Sequence, residues 1–312
     1  MSFGTSSRRT KQKRSIASSA VSIGSNVLGA AGLLLVSQAL YIAITTPRLP
    51  SPDNSGHDFD EEGLIAYYKD EEGEADSNAK NAPEFRLVLL GDSPVEGIGN
   101  DSHAEALGGQ TALEFSKLLK RPVRYWSYGK TGLTAQGVKE EMLPHLKILS
   151  KKCGVDAVVV SCGVNNTLGG YSPQTFGREV RELLCSIRLS CPATRILMME
   201  LLDFELLPFI PYPLSKIASW RSRGLRKEME SIVNDFKNKD QCGGTEMAYM
   251  PRIEELLGRR DECSLLNHLS HEERHALTLA DFFADDNFHP ANIGNTIVGK
   301  ILAETYTNLI NK

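Results

Sequence analysis

The residues of this chain best suited to nucleophilic chemistry are one serine and an acid–histidine pair far downstream of it. Ser93 follows an apolar run that ends in Gly91-Asp92, and small residues surround it. Asp286 and His289 stand in the spacing Asp-x-x-His. Acyl transfer by a serine requires a base within reach and an acid that orients the base. These types and this order predict Ser93 as nucleophile, His289 as base and Asp286 as the orienting acid.

An acyl-transfer site also needs hydrogen-bond donors for the oxyanion that forms during attack. Three candidates lie in small-residue turns that follow predicted strands: the backbone N–H of Ser93, the backbone N–H of Gly132 and the side-chain amide of Asn165. A lone Gly-Asp-Ser motif has a plainer interpretation, a structural serine or a helix N-cap. The ordered set of partners downstream favours the chemical interpretation.

The elements that position these residues alternate between short apolar strands and amphipathic helices. Strands are predicted near 85–90, 123–127, 156–161, 195–201 and 245–250, and helices near 108–119, 134–149, 172–190, 217–236 and 291–309. This alternation is typical of βαβ units with a parallel sheet and right-handed crossovers. The carboxyl ends of such strands carry the functional loops. We therefore predict an α/β fold, a flavodoxin-like three-layer α/β/α sandwich with a parallel sheet of about five strands.

Four short motifs follow one another along the chain: Gly91-Asp92-Ser93, Gly132-Leu133-Thr134, Gly163-Val164-Asn165 and Asp286-x-x-His289-Pro290. In this order they resemble the four blocks of the SGNH (GDSL) hydrolase family. The segments Thr46–Pro50, Leu207–Leu214 and Phe282–Pro290 look closest to a bacterial-type esterase branch of that family. The resemblance covers about residues 84–310. It implies a carboxylesterase- or lipase-like ester hydrolase that acts through an acyl-enzyme on an acyl or acetyl ester, without metal or cofactor. In that family Ser93, Asp286 and His289 would be catalytic, and Ser93, Gly132 and Asn165 would form the oxyanion hole.

Two positions depart from the family pattern. Ser127 stands where the second block usually has Asn, and Asn166 stands where the third block usually continues with Asp. Neither position is assigned to chemistry, so we expect both to affect the bracing of loops. Two other functions stay open: an acyltransferase that uses the same triad on a sugar or lipid hydroxyl, and a membrane-tethered binding protein without catalysis. Retention of every triad position argues against the second.

Residues 1–47 combine a basic N-terminus with a long uncharged stretch. No residue from Ser15 to Pro47 is charged, and Val27–Ile44 is the apolar centre of this stretch. Its length is close to the roughly 20 residues that cross a bilayer. With the basic cluster on the cytoplasmic side, we predict a single-pass signal-anchor and a membrane location. A cleaved signal peptide of a secreted protein, an organelle transit peptide, and an apolar helix packed on the domain itself are the alternatives.

The remaining chain is predicted to comprise an acidic linker, residues 48–82, and one hydrolase domain, residues 83–312. The linker is rich in acids and carries a short predicted helix near 62–69. The charge of the domain is near neutral, which argues against nucleic acid as a partner. The expected partners are therefore a small-molecule or lipid-like ester and, through the N-terminal segment, a membrane.

A proline- and aromatic-rich loop, residues 206–214, is the candidate substrate-binding element. Phe209, Pro211 and Tyr212 would form a wall of the acyl site, because ligand pockets are lined mainly by apolar and aromatic groups. The alternative is a hydrophobic flap that only covers the domain. The histidines near residues 268–275 lie among charged residues without a matching ligand cluster, so we predict a solvated helix there and no metal site.

Overall fold

The fold is built on a mostly parallel β-sheet. The computed structural model describes residues 33–42, 44–52, 62–67, 82–238, 246–252 and 279–311. Within these residues the sheet has six strands in the order β1-β3-β2-β4-β5-β6. They are β1 (Leu64–Ala66), β2 (Phe85–Gly91), β3 (Val123–Gly129), β4 (Ala157–Val160), β5 (Arg195–Met198) and β6 (Met247–Tyr249). Of the described strands, β1 pairs antiparallel with β3, and the other pairings are parallel.

The helices lie on both faces of this sheet. They are α1 (Ser93–Glu96), α2 (Leu107–Leu119), α3 (Ala135–Gly137, continued by the π-helical Val138–Met142 and by Leu143–Cys153), α4 (Val164–Leu168), α5 (Pro173–Ser190), α6 (Leu214–Asn238) and α7 (Asn292–Ile310). The start of α5 illustrates how the sequence sets their limits. The Ser172 side chain caps it by accepting from the Thr175 N–H, and Pro173 occupies the first turn.

The central strand β2 shows why apolar and polar residues do not alternate along the predicted strands. Leu87 and Leu89 pack on one side of the sheet in a cluster shared with α2 and α7. Val88 and Leu90 pack on the other side in a cluster shared with α3, α5 and α6. Both faces are buried, as is usual for a parallel sheet. The predicted three-layer α/β/α sandwich is therefore confirmed, with an antiparallel edge strand added to the five parallel strands described.

The strand order places a topological switch point beside β2. The chain passes from β2 to β3 on one side and then returns to β4 on the other side. In open α/β sheets, ligands bind in the crevice outside the carboxyl ends of the strands at such a point. The loops that follow β2 and β4, which begin with Asp92 and Ser161, are therefore the ones that the fold brings together there.

Part of the segment predicted as linker packs on the domain. Residues 64–66 form β1, in place of the short helix predicted near 62–69, because their backbone pairs with β3. The Pro50 carbonyl accepts from the Gly99 N–H at 3.0 Å, and Pro52 lies against Gly97.

The N-terminal part of the described chain is helical over residues 33–42. The Gln38 side chain donates to the Tyr212 carbonyl at 2.6 Å, and Ile42 packs against a small cluster that includes Phe204 and Leu207. No helix in the described part of the chain is both long and apolar enough to cross a bilayer. Most of the first half of the predicted span, residues 27–32, lies outside the described residues.

Candidate active site

Ser93 is the first residue of α1 and follows directly on the carboxyl end of β2. Its side chain is only slightly exposed and borders a cavity of about 130 Å³. Gly91 allows this tight turn, because a Cβ at that position would lie 2.7 Å from the Ser161 carbonyl oxygen. Gly97 then ends the short helix in a left-handed conformation, φ +89°. The local sequence thus fixes Ser93 at the switch point of the sheet.

His289 borders the same cavity and is held by Asp286. The His289 Nδ1 atom lies 2.6 Å from Asp286 Oδ2, while Asp286 Oδ1 accepts the backbone N–H groups of Phe288 and His289, each at 2.9 Å. The His289 Nε2 atom is buried and makes no hydrogen bond to any described residue. The ring is therefore oriented through Nδ1, and Nε2 is available to exchange a proton with a reacting group.

The Asp286 carboxylate is suited to remain charged in this setting. Burial alone would raise its pKa, but the hydrogen bonds from the His289 side chain and from the two backbone N–H groups outweigh that effect. The pKa of Asp286 consequently lies below its usual value. An ionised Asp286 can stabilise a positive charge on the adjacent imidazole.

Asp92, the residue before the predicted nucleophile, is almost fully buried. Its carboxylate accepts from the Ser161 hydroxyl at 3.0 Å and from the Asn165 amide at 3.2 Å. Burial raises the pKa of Asp92 to about 6, although these hydrogen bonds oppose the rise. Through these two hydrogen bonds, Asp92 connects the loop after β2 with the loop after β4.

The two other predicted oxyanion donors lie in loops attached to Ser93 rather than in the walls of the cavity. Gly132 has φ +87°, and no atom lies within 4 Å of the position a Cβ would occupy. The Asn165 amide donates to the Leu133 carbonyl at 2.9 Å as well as to Asp92. Both amide hydrogens of Asn165 thus have protein acceptors. Donation to an oxyanion requires one of these two hydrogen bonds to break. Catalytic hydrogen bonds often align only when substrate is bound.

Of the two departures from the family pattern, Asn166 connects segments around the site, whereas Ser127 contacts a helix rather than a loop. The Asn166 side chain accepts from the Ala135 N–H at 3.0 Å and donates to Glu179 at 3.0 Å. Ser127 lies directly against Gly108 of α2, where a Cβ would be 2.0 Å from its hydroxyl oxygen. Asn166 joins two loops around the site, and Ser127 allows α2 to approach β3.

The predicted substrate loop contributes to the cavity through other residues than those named from the sequence. Phe204, Leu206 and Leu207 line the cavity, whereas Phe209, Pro211 and Tyr212 do not. The Phe209 ring packs on the Phe288 ring, with centroids 5.0 Å apart. Tyr212 is 75% exposed to solvent. The apolar wall is therefore formed by Leu206 and Leu207 at the start of the predicted loop and by Phe204 just before it.

A buried amide pair, Asn100 and Asn295, connects the nucleophile loop with the histidine loop. The Asn295 amide donates to Asn100 Oδ1 at 2.9 Å and to the Pro290 carbonyl at 3.4 Å. The Asn100 amide donates to the Gly97 carbonyl at 3.1 Å and to Pro290 at 3.3 Å. Sequence reasoning missed this pair, because nothing in the local pattern of either residue signals a partner so far away in the chain.

No metal centre is evident in the described regions, where no group of three or more His, Cys, Asp or Glu side chains could hold an ion. The histidines His268, His271 and His275, predicted to lie on a solvated helix, are outside the described residues.

Comparison with known proteins gives a family match over most of the domain. Residues 89–297 match the GDSL-like Lipase/Acylhydrolase family. No protein of curated function matches the sequence significantly.

Several solved structures align with most of this chain. The lipase Lip_vut3 from a goat rumen metagenome aligns with a TM-score of 0.50 at 12% identity, covering 71% of this chain and 97% of the other. The esterase EstA from Pseudoalteromonas sp. aligns with a TM-score of 0.47 at 13% identity, covering 73% and 99%. The lipase/acylhydrolase from Enterococcus faecalis aligns with a TM-score of 0.47 at 15% identity, covering 72% and 96%. At such identities these similarities concern the fold alone.

Proposed function

Because the chain belongs to the GDSL-like lipase/acylhydrolase family, we propose that it is a serine-dependent carboxylic ester hydrolase. The observation that carries the proposal is the shared cavity: Ser93 and His289 both border it. Asp286 orients His289 through Nδ1, and Nε2 has no hydrogen bond to any described residue. Nucleophile, base and orienting acid are the three roles that a serine triad divides in acyl transfer.

The reaction proceeds in two steps. The Ser93 hydroxyl oxygen attacks the ester carbonyl carbon while His289 Nε2 takes its proton, and the ionised Asp286 stabilises the resulting imidazolium. The tetrahedral intermediate collapses to an acyl-enzyme, and His289 returns the proton to the departing alcohol. A water molecule, deprotonated by His289, then attacks the acyl-enzyme and releases the carboxylic acid.

The oxyanion of each tetrahedral intermediate needs donors. We assign this role to the backbone N–H groups of Ser93 and Gly132 and to the Asn165 amide, which the Leu133 carbonyl and Asp92 hold beside the nucleophile loop. Asn165 exchanges one of these two acceptors for the oxyanion.

Hydrolysis of aryl esters tests the proposal. The wild-type protein is expected to release the aryl alcohol, and Ser93→Ala or His289→Ala should lower kcat by about 10⁴-fold or more. Ser186→Ala, which removes an exposed hydroxyl on α5, is the matched control and should leave kcat unchanged. Equal activity of Ser93→Ala and the wild type would refute the assignment.

The acyl acceptor is proposed to be water. An acyltransferase would use the same three side chains but pass the acyl group to an alcohol, so product analysis with a polyol added to the assay separates the two activities. An ester product that exceeds the free acid would favour acyl transfer.

Membrane attachment through the N-terminal segment is also proposed. The support is the absence of charge from residue 15 to residue 47 together with the basic cluster that precedes it.

A further inference from the structure

We propose that the cavity beside Ser93 is an acyl-binding site for short, uncharged acyl groups of about four to six carbons. This inference rests on the proposed ester hydrolysis and specifies the substrate class of the same site. It is carried by the size of the cavity, by its closed apolar floor and by the placement of one buried acid in its wall.

The cavity is small and almost wholly apolar. Its volume is about 130 Å³. An apolar protein cavity of about 150 Å³ holds one benzene molecule, which has six carbon atoms. Beside Ser93 and His289, its lining includes Val164, Met199, Leu202, Phe204, Phe282 and Phe283. Such a space fits a short alkyl chain and offers no room for a long one.

The floor of the cavity is closed by helices α2 and α7. Leu107, Ile297 and Val298 are buried almost completely, whereas the lining residues Leu202 and Leu206 are partly exposed and therefore form the rim. The floor residues belong to the tightly packed cluster between α2, α7 and the sheet. A longer chain could not pass them without displacing the core.

The first turn of α7 packs tightly against the loop before it. A Cβ at Gly294 would lie 2.3 Å from the Phe282 carbonyl oxygen, so the helix is in direct contact with that loop. Ile297 and Val298 lie one turn after this contact, and both are buried. We infer that these two side chains set the upper limit of acyl length.

Glu200 adds a selection by charge. It is the one acidic side chain among the described residues that line the cavity, and it pairs with the buried Arg226 at 3.3 Å. Arg226 balances the charge of Glu200, but neither Arg226 nor any other described Arg or Lys lines the cavity. An acyl group that ends in a carboxylate would therefore lose its hydration beside Glu200 without an Arg or Lys to pair with, which is costly. The site should therefore reject half-esters of diacids and accept simple alkyl acyl groups of equal length.

A series of 4-nitrophenyl esters from acetate to dodecanoate tests the length limit. We expect kcat/KM to peak at butanoate or hexanoate and to fall at least 10-fold at decanoate. We also expect the hydrogen succinate ester to react at least 10-fold more slowly than the butanoate, and Glu200→Gln to reduce that difference. A peak at decanoate or beyond, or equal rates for succinate and butanoate, would overturn the inference.

Two floor variants and a matched control identify the residues responsible. Val298→Ala and the larger change Ile297→Ala should each shift the optimum toward longer chains by about two carbons or more. Ile301→Ala, one turn further along α7 and outside the cavity lining, removes the same atoms from the same cluster and should leave the optimum unchanged. An unshifted optimum in Val298→Ala would refute the role of the floor.

Failure of the proposed function would look different. If no ester of the series reacted with the wild-type protein, ester hydrolysis itself would be refuted, and the acyl site with it. Hydrolysis with the wrong chain-length profile would refute only the acyl site.

Discussion

Asp92 is the side chain that connects three of the four motifs of this sequence. It adjoins Ser93 in the chain, accepts from Ser161 and Asn165 after β4, and through Asn165 is connected to the Leu133 carbonyl after β3. Three loops that follow three different strands are therefore joined at one buried carboxylate. Because burial of a charged carboxylate is costly, the free energy of unfolding should depend measurably on pH.

Replacement of Asp92 by Asn should change stability in a pH-dependent way. The pKa of Asp92 rises from 3.8 to about 6 on folding, so the cost of its charge is absent below pH about 4, grows between pH 4 and 6, and is complete above pH 6. About two pKa units at about 1.4 kcal/mol each amount to about 3 kcal/mol. The free energy of unfolding of Asp92→Asn, relative to the wild type, should rise by about this amount between pH 4 and 7.

Urea denaturation at the two pH values measures this difference. The absolute stability of the variant also reflects its altered hydrogen bonds, so only the change with pH is diagnostic. A difference between variant and wild type that stayed constant from pH 4 to pH 7 would show that the carboxyl of Asp92 titrates normally.

Asn165→Ala should lower kcat by about 10²–10³-fold, because an oxyanion donor acts mainly in the transition state. KM should change little, since the ground-state carbonyl gains less from the donor. Steady-state kinetics with a butanoate ester measures both constants, and circular dichroism checks that the loop change leaves the fold intact. Unchanged kcat in a folded variant would remove Asn165 from the oxyanion hole.

At the scale of elements, helix α7 and the loop after α1 are joined by the Asn100–Asn295 pair. The carbonyl of Pro290, which directly follows His289, accepts hydrogen bonds from both amides. The loop that carries His289 is thus held against the loop that carries Ser93 by two side chains that do not line the cavity. We interpret Asn100 and Asn295 as positioning residues.

Asn295→Ala should lower kcat about 10- to 100-fold while KM stays similar, because a misplaced base costs rate more than binding. Thr305→Ala is the matched control: it also removes a buried polar group from α7, but its hydroxyl only bonds the Ile301 carbonyl. Both variants should lose about 1–3 kcal/mol of stability. If both lost kcat equally at a temperature well below unfolding, Asn295 would have a structural role only.

The elements that the sequence predicted are those determined by local pattern. The runs that became β2 and β4 are apolar throughout, and Ser172-Pro173 marks the start of α5 by its own chemistry. Strand β1 was missed because its three residues owe their conformation to pairing with β3, which no local pattern reveals.

The same reason decides which residues around the candidate site the sequence could name. Ser93, Asp286 and His289 could be named because short motifs carry them. The cavity walls could not, since Leu107, Met199 and Ile297 are ordinary apolar residues that only the packing of α2, β5 and α7 brings together.

At the scale of the whole molecule, the segment before the domain is in contact with the site. Ile42 packs on the cluster that contains Phe204 and Leu207, both of which also line the cavity, and Pro50 bonds Gly99 just after α1. The N-terminal segment therefore supports the walls of the cavity in addition to its proposed role in membrane attachment.

Two truncations separate these roles. A protein that starts at residue 33 should keep its activity on a butanoate ester but sediment less with membrane vesicles than the full chain. A protein that starts at residue 62 should in addition melt a few degrees lower, because it loses about 1–2 kcal/mol of packing and hydrogen bonding. Equal melting temperatures of the two truncated proteins would show that residues 33–52 do not support the domain.

The central claim is that Ser93 is the nucleophile, and mass spectrometry of the protein after reaction with a fluorophosphonate tests it most directly. We expect a single phosphonyl adduct on the peptide that contains Ser93, and no adduct in Ser93→Ala. An adduct on a different residue, or labelling that persists in Ser93→Ala, would contradict the account.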